Sequence, residues 1–198
     1  MKQTRSEGLI LNPGIDQRVD CYVDADFGGL FSVEDKQDPV SVKSRTGYVF
    51  TYHYAPLLWV SKMQTQIALS TMEAEYIALS QSMCDLIPIW EVLKEIMSIV
   101  FDLQPKIMYH SHSQAFTDTI GTVLHLKPQS TVFKDIEACL KFARMPKLSP
   151  QTKHIAIPYH WFRTQVENME IHIKGINTND QLADQFTKGL PMHAFRVV

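Results

Sequence analysis

Cysteine is scarce in this chain, and long apolar runs are missing altogether. Of its 198 residues three are cysteine: Cys21, Cys84 and Cys139. They lie far apart, form no C-x-x-C pair and match no zinc spacing, which excludes a cysteine-built zinc module. An odd number of scattered thiols suits a reducing compartment and predicts an intracellular protein, cytoplasmic or nuclear. No run of about 18 apolar residues occurs, so no membrane-spanning helix is expected. The start, Met1 to Leu11, lacks the apolar h-region of a signal peptide. Strong charge of one sign is also absent, the formal net charge being −2. A nucleic-acid partner would therefore need a local basic patch. No glycine-rich phosphate loop, nucleophile elbow, internal repeat or low-complexity tract appears. The rest is ordinary: 45% hydrophobic and 20% charged residues fit a soluble globular protein, and the length allows one domain with a substantial core.

Residues 1–18 are polar, carry Pro13 and Gly14, and read as a linker or the tail of something larger. From Val19 the chain alternates. Val19, Cys21, Val23 and Ala25 fall on one side and Asp20, Tyr22, Asp24 and Asp26 on the other, which is a strand pattern. Gly47–Tyr54 and Leu57–Ser61 are β-rich runs, separated by Ala55-Pro56 as an expected hairpin. Ser70-Thr71-Met72-Glu73 has the form of a capping box at a helix start. Met72, Tyr76, Leu79 and Met83 follow at helical spacing. Pro88 is expected to begin a second helix, since proline is tolerated in a first turn. Thr131–Lys134 reads as a short strand. Asp135 precedes a helical pattern through Ile136, Cys139, Leu140 and Ala143, and Thr152–Asn168 reads as helical. Glu170–Ile176 alternates as a strand. Thr178-Asn179-Asp180-Gln181 is a second capping box, whose helix stops near Gly189 and Pro191. This order predicts an α/β domain, residues 19–198, with a mixed sheet of about five strands covered by helices.

Four acidic residues fall at the ends of these elements. Asp24 is near the end of the first strand, Glu75 in the first turns of the long helix, Asp135 at a strand-to-helix junction and Asp184 in the last helix. A hard Mg²⁺ ion takes oxygen ligands in octahedral geometry, and a pair of such ions suits phosphodiester cleavage. Each acid has a plain alternative: Asp135 as an N-cap, Asp184 as a solvated helix residue, and Asp24 and Asp26 as exposed strand residues. Glu73 is better explained as the partner of Ser70 in the capping box than as a ligand. Spacing alone does not make these acids a site.

Six stretches of the chain carry a resemblance. They are Tyr22-Val-Asp-Ala-Asp-Phe-Gly28, Ser44-Arg-Thr-Gly-Tyr48, Trp59-Val-Ser-Lys-Met-Gln64, Ala68-Leu-Ser-Thr-Met-Glu-Ala-Glu-Tyr-Ile-Ala-Leu-Ser80, Thr152-Lys-His-Ile-Ala-Ile-Pro-Tyr-His160 and Gln181-Leu-Ala-Asp-Gln-Phe-Thr-Lys188. In this order they resemble the ribonuclease H domain of copia-type retrotransposon polyproteins. The resemblance implies a ribonuclease H-like fold and Mg²⁺-dependent hydrolysis of the RNA strand of RNA–DNA hybrids during reverse transcription. It further implies two Mg²⁺ ions, with Mn²⁺ as a substitute, and an upstream reverse transcriptase domain whose remnant would be residues 1–18. The implied metal ligands and catalytic residues are Asp24, Glu75, Asp135 and Asp184.

Two departures stand out. The family's Asp-Asn at the third position is Asp135-Ile136 here. Also, Pro105–His110 looks like the start of the strand that ends at Asp135, so Ser111–Ser130 reads as an insertion, expected to be a poorly ordered surface excursion. These departures, with the absence of the upstream domain and the end at Val198, support an alternative. On that reading the chain is a catalytically inactive, decayed fragment that at most binds nucleic acid or a partner.

His110-x-His112 lacks a third zinc ligand at a recognisable spacing, and His154 and His160 read as packing residues. Lys141, Arg144, Lys147 and Lys153 form a basic stretch. Lys153, together with Lys43, Arg45, Lys62 and Gln64, is the candidate nucleic-acid contact set, since backbone phosphates dominate such affinity. Hybrid recognition of this kind rests on groove shape and 2′-hydroxyls.

Overall fold

The computed structural model describes residues 18–29, 41–52, 54–108, 130–135, 161–162, 164, 166 and 171–188. Strand β1 (Val19–Asp26) is followed by β2 (Arg45–Tyr52), β3 (Ala55–Met63), helix α1 (Thr71–Met108), β4 (Ser130–Lys134) and β5 (Ile171–Gly175). A 3₁₀ turn (Thr178–Asp180) and a short helix α2 (Asp184–Thr187) complete the described elements. The five strands form one mixed sheet in the order β3-β2-β1-β4-β5. β1 lies at its centre, antiparallel to β2 with Asp24 opposite Gly47, and parallel to β4. β5 extends the sheet in parallel beyond β4. The expected mixed five-stranded architecture, with β1 central, is the one observed.

The alternation read in β1 explains its place. Val19, Cys21, Val23 and Ala25 are buried in the core together with Tyr48 and Phe50 of β2, Ile77, Leu79, Met83 and Leu86 of α1, Val132 of β4 and Ile173 of β5. Each fully buried aliphatic or aromatic side chain contributes roughly 1.5–3 kcal/mol. The other face of β1 is also largely covered, as a central strand requires. There Tyr22 stacks on Phe133 with ring centroids 4.9 Å apart.

α1 begins at the expected capping box. The Glu73 backbone N–H donates to Ser70 Oγ at 3.1 Å, and the Glu73 carboxylate accepts from the Leu69 N–H at 2.8 Å, one residue further back than the simplest form of the motif. The helix does not restart at Pro88. It runs unbroken for 38 residues. Proline removes one helical hydrogen bond, a loss of about 3 kcal/mol in an isolated helix. Leu86 and Trp90, buried on either side of Pro88, supply tertiary burial that offsets it. α1 also absorbs Pro105–Met108, read from sequence as the beginning of a strand. Extending a helix already formed is easier than starting a new element. β4 is consequently one segment, beginning at Ser130.

The hairpin differs in detail. Its turn includes Tyr54, in the left-handed region at φ 66°, and Ala55-Pro56 opens β3. A register shift places Thr51 against Pro56 and Phe50 against Leu58. Pro56 is tolerated because β3 is an edge strand. The second capping box is not formed. Asn177 accepts from the Asn179 N–H and caps the 3₁₀ turn, and α2 starts only at Asp184. Residues 111–129 of the expected insertion, the helix expected after Asp135, most of 152–168 and the polar start at 1–17 lie outside the described residues. Among the described residues no helix is long and apolar enough to cross a membrane.

Candidate metal centre

Asp24, Glu75 and Asp135 arrive from three elements: the end of β1, the second turn of α1 and the residue after β4. One carboxylate oxygen from each lies within 4.8 Å of the others. Asp24 and Glu75 are each 1% exposed. Burying carboxylates together is unfavourable unless something compensates their charge. Two lysines do so here.

Lys134 precedes Asp135 and shares its strand face with Val132, so its side chain enters the core, where it is fully buried. Its Nζ forms an ion pair with Glu75 Oε2 and donates to the Val23 carbonyl at 3.2 Å. The β1–β4 ladder ends at Tyr22–Phe133. The Val23 carbonyl just beyond it also accepts from Gln181 Nε2 at 3.1 Å. Gln181, expected in a helix cap, thus ties the last segment to β1.

The second lysine, Lys188, follows α2. Its Nζ lies 3.2 Å from Asp184 Oδ1 and 3.6 Å from Asp24 Oδ2. Burial works against its charge, but Asp24 and Asp184 outweigh burial and hold its pKa above the ordinary lysine value. Asp184 stands beside the trio rather than within it. Burial raises its pKa, the charge on Asp24 raises it further, Lys188 opposes the shift, and Asp135 adds to it. Thr187 donates a short hydrogen bond to Asp24 Oδ2. The approach of α2 depends on Gly47. A Cβ there would lie 2.7 Å from Thr187 Cγ2, 2.9 Å from Phe186 Cβ and 3.1 Å from the Ala183 carbonyl oxygen.

The donor set fits a hard divalent cation. It consists of carboxylate oxygens without soft ligands, and Asp135 Oδ1 is buried without a hydrogen-bond partner. Glu75 is the exception in this set, because its Oε2 already faces an ammonium group.

The candidate nucleic-acid residues separate. Lys62 is exposed, with its Nζ 5.9 Å from the centre of the Tyr48 ring. Lys43 and Arg45 are half-buried, and Arg45 donates to Ser61 Oγ at 3.4 Å. Lys153 lies outside the described residues. Gln64 is a correction: it is 1% exposed, and its amide donates to Thr46 Oγ1 at 3.1 Å and to the Ala74 carbonyl at 2.8 Å. It fastens β2 to the first turn of α1, behind Glu75, and is not available to a phosphate. Lys134 went unremarked in the sequence. The signal was there, because the alternation that buries Val132 also puts residue 134 on the core side, an unusual place for lysine.

No protein-family model matches the chain. It is 30% identical over 184 residues, 93% of its length, to the retrovirus-related Pol polyprotein of transposon TNT 1-94 from Nicotiana tabacum. It is 28% identical over 193 residues to that of transposon RE1 from Arabidopsis thaliana. The chain spans 11% of the length of each polyprotein. Among solved structures it is similar to the compost-derived LC11-RNase H1, with a TM-score of 0.48 and 17% identity over 86% of this chain and 93% of that one. It is also similar to an N-terminal RNase H domain from Mycobacterium tuberculosis, with a TM-score of 0.48 and 10% identity over 92% of this chain and 99% of that one. In sequence the chain is therefore similar to a segment, about a tenth of the length, of retrovirus-related Pol polyproteins of plant transposons.

Proposed function

We propose that this chain hydrolyses the RNA strand of RNA–DNA hybrids in a divalent-cation-dependent reaction, as part of retrotransposon reverse transcription inside the cell, alongside a reverse transcriptase domain. The observation that carries the reading is the convergence of Asp24, Glu75 and Asp135 at the ends of β1 and β4 and the start of α1, with oxygens within 4.8 Å, and with Asp184 alongside. Mg²⁺, or Mn²⁺ in its place, held by these carboxylates would activate water and stabilise charge on the phosphate. The protein's own part is positioning. Thr187 fixes the orientation of Asp24 through its hydroxyl. Lys188 holds Asp24 and Asp184 near one another despite their like charge. The surface of Lys43, Arg45 and Lys62 beside β2 and β3 would carry the phosphate backbone, and Lys153, outside the described residues, is a further contact expected from the sequence.

One observation favours the second reading, a chain that binds nucleic acid or a partner without cleaving. Lys134 occupies the Glu75 carboxylate. A labelled hybrid incubated with the purified chain, with and without a reverse transcriptase partner, distinguishes the two. On the first reading cleavage requires Mg²⁺ or Mn²⁺, is lost in Asp24→Asn, which keeps shape but removes a charged ligand, and survives in Glu73→Gln, which keeps the cap. A folded wild-type chain that cleaves nothing in either setting leaves the binding-only reading.

A further inference from the structure

The buried lysine at Glu75 bears on how many metal ions the centre holds. We infer that Lys134 takes the charge role of a second divalent ion, so that this centre binds one divalent cation, on the side of Asp24, Asp135 and Asp184. The inference rests on the metal-dependent reading above.

Three observations carry it. Lys134 is fully buried, so no solvent screens its charge from a cation beside Glu75. Its Nζ is held at two points, the Glu75 carboxylate and the Val23 carbonyl, and withdrawing it would leave a charge in the core without a partner. Finally, the charges balance around one ion. Asp24, Glu75, Asp135 and Asp184 face the two ammonium groups of Lys134 and Lys188. Two negative charges remain, which a single divalent cation neutralises. Lys188 differs from Lys134 in being 44% exposed, and its charge beside Asp24 and Asp184 is part of this count.

The test is a count of Mn²⁺ bound per chain, by calorimetry and by the electron paramagnetic resonance signal of free Mn²⁺, with hybrid cleavage measured in parallel. The wild type is expected to bind one Mn²⁺. Lys134→Met, of similar length but uncharged, is expected to bind two, the added site at least about tenfold tighter than any second site in the wild type. Lys134→Arg, which keeps the charge, is expected to stay at one. Two ions in the wild type, or one in a folded Lys134→Met, overturn the inference. If Lys134→Met does not fold, the wild-type count decides alone. Two ions with cleavage overturn the Lys134 role and leave the nuclease reading intact. One ion without cleavage upholds the role and overturns hydrolysis. No Mn²⁺ bound overturns both.

Discussion

Gly47→Ala tests whether the approach of the last segment to β2 builds the centre. The added Cβ would meet Thr187 Cγ2 at 2.7 Å, Phe186 Cβ at 2.9 Å and the Ala183 carbonyl oxygen at 3.1 Å. The first two are too close for carbon atoms, and two of the three atoms belong to or directly carry backbone, so α2 must move away from the sheet. Overpacking of this kind costs about 1–3 kcal/mol, which for a chain of this size lowers Tm by about 2–12 °C. The displacement also acts on the site. Gly47 sits opposite Asp24 in the β1–β2 register, and the Thr187 hydroxyl that orients Asp24 moves with α2. Metal affinity and cleavage should therefore fall more than stability alone explains. Thr187→Ser removes Cγ2, the nearest clashing atom, and keeps the hydroxyl. Added to Gly47→Ala it should restore part of both the Tm and the Mn²⁺ affinity, with the contacts to Phe186 and Ala183 left over. Differential scanning calorimetry and Mn²⁺ titration of the two single variants and the double variant measure this. A Gly47→Ala chain with unchanged Tm and unchanged Mn²⁺ affinity would refute the reasoning.

Asp184 predicts a pH effect. Its pKa is raised above the ordinary 3.8 by burial and by Asp24, so the folded state favours its protonated form. That contribution to stability is present at acid pH and is lost as pH rises through the raised pKa. Asp184→Asn should therefore raise the stability of the metal-free chain at neutral pH, with the gain fading below about pH 4, and should weaken divalent-cation binding; urea unfolding at both pH values checks the sign. Gln64→Ala removes the bonds to Thr46 and Ala74 inside the fold and should destabilise by about 1–3 kcal/mol, whereas Lys62→Ala should leave stability within about 0.5 kcal/mol and weaken hybrid binding in a salt-dependent manner. Denaturant midpoints and hybrid titrations at two salt concentrations separate the two roles.

Patterns set by neighbours along the chain were legible without coordinates. The period of two in Val19–Asp26 depends only on which side chains alternate, and it foretold both the strand and its buried face. The Ser70–Glu73 cap is a contact between residues three apart and formed nearly as read. The acids at element ends were readable as candidates, and the fold brings oxygens of three of them, Asp24, Glu75 and Asp135, within 4.8 Å of one another. Tertiary structure decided what depends on burial against distant residues. Pro88 and Pro105 look like helix boundaries locally, yet α1 continues through both. Gln64 looks like a polar surface residue at a strand end, until Thr46 and Ala74 close around its amide. Gln181 resembles a capping partner and instead reaches Val23, 158 positions away in sequence. Lys134 is the sharpest case. Its parity in the strand was visible, but the carboxylate that makes its burial tolerable comes from a helix far upstream. An ammonium group enters a core only where an opposite charge and a carbonyl are already waiting, and only the packing of α1 over β1 and β4 brings Glu75 and Val23 to meet it.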